Sequence, residues 1–129
     1  MKINAFFACS EIQPIAPGIA NLKEAGIRSV ILNKFKKGGS FKIRFYCLFV
    51  IEPNDLPGTQ VARIQLIGKD GPMGQPQDTP FTLTDTSPGF MLPMTVQVPA
   101  DGPISLNFRL SILGSSVESE WPLDVLAPK

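Results

Sequence analysis

The sequence predicts an all-β chain: a single-domain antiparallel β-sandwich of seven or eight strands, immunoglobulin- or C2-like. Three observations carry that expectation. Apolar residues recur with period two in several short runs, as half-buried strands require. Thirteen prolines and eleven glycines fall mostly between those runs. Proline cannot donate to a ladder or sit inside a helix, so this punctuation marks frequent turns. The 129 residues are one domain by length, and a hydrophobic content of 43% supplies a sizeable core.

The elements follow in order. Lys2 to Cys9 reads as a first strand. Ala16 to Gly18 is a Pro-flanked turn. Ile19 to Asn33 is extended and broken near Ala25-Gly26, because Gly26 and the β-branched Ile27, Val30 and Ile31 argue against a helix. Lys34 to Gly39, KFKKGG, is a loop. Phe41 to Ile51 is the strongest strand, with Phe41, Ile43, Phe45, Cys47, Phe49 and Ile51 on one face. Its other face starts polar, Lys42 and Arg44, and turns apolar at Tyr46, Leu48 and Val50. Glu52 to Gly58 is a turn.

Gln60 to Gly68 is a strand with Ala62, Ile64 and Leu66 inward, and Asp70-Gly71 signals a turn after it. GPMGQPQDTP reads as a Pro- and Gly-rich loop, followed by a short edge strand at Phe81 to Thr84. Gly89 to Val98 is another strand. Ile104 to Leu113 alternates cleanly, with Leu106, Phe108, Leu110 and Ile112 inward. Gly114-Ser115 matches a two-residue hairpin turn. Val117 to Leu126 returns with Val117, Trp121, Leu123 and Val125 inward, and Pro122 puts it at or near a sheet edge.

The opening, MKINAFFACSE, poses a question of address. A Cys after a short apolar run suggests a lipoprotein export signal. Asn4 interrupts that run, and only five apolar residues remain before Ser10, short of the about 7–15 that a signal core needs. A first strand is the expectation, with a cytoplasmic location and no membrane association. The two cysteines, Cys9 and Cys47, both lie in apolar runs. They read as two buried free thiols, with a disulfide between paired strands as the alternative.

The MK-x-x-A-F-F-A-C start, the IANLKEAGI segment and the Trp121-Pro122-Leu123-Asp124-Val125 ending resemble a family of small uncharacterised bacterial β-sandwich proteins, a domain of unknown function. The resemblance spans nearly the whole chain. It implies a β-sandwich in the cytoplasm and transfers no catalytic residue.

Histidine is absent, which removes Ser-His-Asp and Cys-His catalysis and the common zinc sets that use it. No phosphate-binding loop or dinucleotide fingerprint is present. No enzymatic activity, cofactor or metal is expected. The alternative is a small-ligand or metal site built from Asp55, Asp70, Asp78, Asp85 and Asp101; each has a Gly or Pro within three residues, as turn aspartates do.

Charge is lopsided along the chain. Residues 1–51 hold eight Lys/Arg and two acids, a net +6, and residues 52–129 hold four Lys/Arg and nine acids, a net −5. Arg28, Lys34, Lys36, Lys37, Lys42 and Arg44 run without an intervening acid. They read as a solvated edge and loop, where lysines also block edge-to-edge aggregation, with binding of an acidic partner as the alternative; with only Phe35 and Tyr46 to stack bases, that partner is expected to be protein rather than nucleic acid. Tyr46, Leu48 and Val50 are candidates for a partner or subunit contact, unless a loop such as residues 72–80 crosses over them. The expected function is a non-enzymatic protein-binding or assembly module, whose partner is another protein or a second copy.

Overall fold

The computed structural model describes residues 1–16, 19–52, 55, 58–83 and 89–129. They form ten strands: β1 (Lys2–Cys9), β2 (Glu11–Ala16), β3 (Ile19–Lys23), β4 (Ser29–Ile31), β5 (Ser40–Val50), β6 (Gly58–Gly68), β7 (Gly71–Leu83), β8 (Gly89–Pro99), β9 (Ile104–Ile112) and β10 (Glu118–Leu126). The chain is all-β, with no helix among the described residues. The strands make a three-stranded sheet ordered β1-β5-β8, a five-stranded sheet ordered β4-β10-β9-β6-β7, and a separate ribbon of β2 and β3.

Alternation decides what each strand buries. On β5, Ile43, Phe45, Cys47 and Phe49 turn inward, joined by Phe6 and Ala8 from β1 and Met94, Val96 and Val98 from β8. From the five-stranded sheet come Ala62, Ile64 and Leu66, then Leu106, Phe108, Leu110 and Ile112, then Leu123 and Val125. Phe45 meets Phe108 across the core at 4.7 Å, and Phe49 stacks on Phe81 at 5.3 Å. The two larger sheets therefore pack face to face around one core, with no buried polar or charged residue among those described.

Several expectations change. Ten strands are described rather than seven or eight, and β4 pairs with β10 in parallel, so the arrangement is not purely antiparallel. The Ala16–Gly18 and Glu52–Gly58 turns lie partly outside the described residues. β2 is a strand despite Pro14, because a two-stranded ribbon leaves one side of each strand without a ladder to feed.

The GPMGQPQDTP stretch is not a loop but most of β7. It lies at the edge of the five-stranded sheet, where prolines need not donate. The pairing with β6 slips between Ile64 and Leu66, and Gly74 nearby takes φ 66°, a left-handed conformation that favours glycine. The β9–β10 connection spans Leu113 to Val117 rather than two residues, closed by the Ile112 amide donating to the Val117 carbonyl. β10 is one strand in from the edge; three-residue β4 reaches only Asp124–Leu126, so Pro122 sits beyond it.

Candidate functional site

The outer face of the three-stranded sheet is built by β5 and its neighbours. Tyr46 lies opposite Phe7 of β1 and Pro93 of β8, and Leu48 lies opposite Ala5 and Met91. Tyr46, Leu48, Val50, Ala5, Phe7 and Met91 are half-buried, and Pro93 is exposed. Phe7 stacks on Tyr46 at 5.3 Å. No crossing loop from residues 72–80 covers this face, because those residues belong to β7 in the opposite sheet.

Phe7 also meets the edge of Trp121 at 6.3 Å. This contact closes the seam between β1 and β10. The Trp121 Nε1 donates to the Ile27 carbonyl at 2.7 Å, and the Arg28 guanidinium lies 5.1 Å over the indole ring. The Gly26 and Ile27 amides in turn donate to the Ala8 carbonyl, which caps the outer edge of β1. Gly26 manages this turn at φ 83°, after Glu24 at φ 48°.

The run of six cations divides into three places. Arg28 is held at the Trp121 seam. Lys34, Lys36 and Lys37 are exposed on the loop before β5, anchored by Phe35 against the core and by the Lys36 amide donating to the Ala100 carbonyl. An acid is near that loop in space: Asp101 borders the same cavity as Gly38, Gly39 and Ser40. Lys42 and Arg44 lie together on the outer face at the start of β5. They border a cleft of about 320 Å³ whose apolar walls are Ile27, Val30, Phe41 and Ile43. The Arg44 guanidinium donates to the Ser10 carbonyl at 2.9 Å.

Cys9 lines the same cleft, opposite Arg44 on the paired strand. Cys47 faces the core three residues further along β5. Both thiols are free and buried. Burial pushes both thiols up from their ordinary range, which Arg44 offsets in part for Cys9. Neither is an activated nucleophile, since the thiolate is what reacts.

The described aspartates do not converge. Asp78 lies in β7, not in a turn, and makes a two-pronged ion pair with Arg63 at 2.7 and 2.9 Å. Asp55 and Glu52 both accept from the Met1 ammonium at 2.9 Å. Asp70 is in the β6–β7 turn and Asp101 in the bend after β8. Asp85 lies outside the described residues. Among the described residues, no group of three acids, cysteines or histidines could hold a metal ion.

Sequence reasoning did not anticipate one apolar corner. Ile31 and Leu126, 63% and 42% exposed, lie opposite each other where β4 meets β10. Their pairing joins residues 95 apart, so neither local run announces it. A scan against protein-family models finds no match, and a search of the curated proteins finds none either.

Proposed function

We propose that this chain is a non-enzymatic protein-binding or assembly module that makes contact through the outer face of its three-stranded sheet. One observation carries the reading: Tyr46, Leu48 and Val50 join Phe7, Ala5 and Met91 in a continuous apolar surface, with the cations Lys42 and Arg44 at one end. An apolar centre with a charged margin is the pattern of contact surfaces between proteins. The partner is another protein or a second copy of this chain.

Two of the four edges of the larger sheets, β8 and β7, support a face rather than an edge contact. Pro93 and Pro99 lie on β8, and Pro72, Pro76 and Pro80 on β7. Both strands end their sheets, and prolines there remove the donors that a neighbouring strand would need. An immunoglobulin- or C2-like sandwich is the fold that goes with this reading. So are a cytoplasmic setting, which two free buried thiols suit, and a place among the small bacterial β proteins that the opening residues resemble.

Fluorescence-detected sedimentation of the labelled protein, in buffer and in extract of its source cell, tests the reading. The wild type is expected to sediment faster than a monomer in at least one of the two, and Leu48→Glu as a monomer in both. A wild type that is monomeric in both contradicts it.

A further inference from the structure

The cleft beside Lys42 is a missing rung of the three-stranded sheet. β1 pairs with β5 from Lys2 opposite Val50 down to Cys9 opposite Arg44, and there β1 ends. β5 continues to Ser40, paired only with β8 on its other side. Which backbone groups face the gap follows from the prolines. Pro93 and Pro99 lie opposite Tyr46 and Ser40, and a residue without an N–H belongs at positions that point away from the neighbouring strand. The even-numbered residues of β5 therefore turn their N–H and C=O toward β1. Arg44, Tyr46 and Leu48 meet β1 there, opposite Cys9, Phe7 and Ala5. Lys42 has the same orientation and no strand paired with it on that side, since β2 approaches β5 without forming a ladder.

Around that rung lie the apolar walls Ile27, Val30, Phe41 and Ile43 and the side chains of Lys42 and Arg44. No acid lines the cleft, and Lys42 makes no ion pair among the described residues. We infer that this cleft receives a short extended peptide segment that carries a carboxylate, added beside β5 in the line that β1 vacates. The backbone rung of Lys42 bonds the segment's main chain, an apolar side chain enters between Val30 and Phe41, and Lys42 and Arg44 hold the carboxylate. Main-chain pairing with pockets for alternate side chains is how sheets take up peptides. The site adjoins the charged end of the apolar face but contains none of Tyr46, Leu48 and Val50.

The probe is a synthetic acetylated and amidated pentapeptide of alternating valine and glutamate, titrated into the full chain and followed by amide NMR. The expected result is saturable binding, with a downfield shift of the Lys42 amide and at least about tenfold slower exchange of its proton. Lys42→Ala and Arg44→Ala, both at exposed positions, are each expected to weaken binding by about tenfold, equivalent to about 1.4 kcal/mol. Leu48→Glu is expected to bind the peptide as the wild type does, which separates this site from the apolar face. A valine-only peptide with a free C-terminal carboxylate that binds with the same Lys42 shift supports the site and assigns the carboxylate to a chain end. Equal binding by a valine–lysine peptide, loss of binding in Leu48→Glu, or an unmoved Lys42 amide up to the peptide's solubility limit overturns the inference.

Discussion

The two larger sheets present outer faces of opposite character. On the five-stranded sheet two arginines are matched across strands, while Glu118 and Asp124 of β10 stand exposed without an ion pair among the described residues. Arg63 pairs with Asp78 on β7, and Arg109 pairs with Glu120 on β10, where Asn107 also donates. Each pair joins residues that lie opposite or nearly opposite in register. Apart from the Ile31–Leu126 corner, that face is mostly polar and charged, with Val61 and Ile67 half-buried among those groups, and resembles ordinary solvated surface. On the three-stranded sheet, Phe7, Tyr46, Leu48 and Val50 form an apolar field, and Lys42 lacks an ion-pair partner among the described residues. The difference is one of composition: one outer face is mostly polar and partly ion-paired and the other is apolar, and the proposed contact rests on that contrast.

The largest effect separates the inside of β5 from its outside. Phe45 is fully buried against Phe6 and Phe108, and Phe45→Ala should cost about 3–5 kcal/mol in urea unfolding. Tyr46→Ala, one residue along but outward, should cost distinctly less. Equal losses would mean that the outer face is as structural as the core.

The thiols sharpen the same division. Cys9 and Cys47 should both stay unmodified by a thiol reagent in the native protein and react fully in denaturant. Fast native reaction of Cys9 would show that the cleft opens down to its floor.

Leu48→Glu should change unfolding stability by no more than about 1 kcal/mol, as substitutions outside the core usually do. On the proposed function its effect belongs to assembly. A large stability loss would make that face part of the fold.

The smallest effects belong to the matched face. Hydrogen bonds from Arg63 hold the Asp78 carboxyl below its ordinary 3.8, and Arg109 and Asn107 hold Glu120 below 4.5. Since the folded values are lowered, their contribution is complete above the ordinary carboxylate range. It fades as pH falls through the lowered values. Asp78→Asn and Glu120→Gln should each flatten the loss of stability below about pH 4, modestly because both pairs are exposed. An unchanged acid profile would show that these pairs contribute nothing.

How much of this was legible in sequence depends on the range of the interaction. β5, β6 and β9 announce themselves because burial of one face imposes period two, and each inward residue predicted for β6 and β9 is buried. Proline misled where its rule has an exception. Pro14 hid β2, and Pro72, Pro76 and Pro80 hid the length of β7, since edge strands tolerate what central strands do not. The parallel pairing of β4 with β10 is set by packing between distant segments and leaves no local mark.

The candidate site divides the same way. Alternation alone put Lys42, Arg44, Tyr46, Leu48 and Val50 on one face of β5, and they share it. Nothing local says that β1 stops opposite Arg44, which is what leaves Lys42 without a neighbour. Nor does chain order show Arg28 drawn off to Trp121, or Asp101 placed near the lysine loop.

The contrast between the two faces is tested most directly by photo-crosslinking from one position on each. A photoreactive residue would replace Leu48 on the three-stranded sheet in one variant and the exposed Ser105 of β9 in the other, both expressed in the source cell. A discrete adduct from position 48, absent from position 105 and lost when Tyr46→Glu is added, is the result predicted. Equal adducts from both positions, or none from position 48, would contradict the claim that the outer face of the three-stranded sheet is where this protein meets its partner.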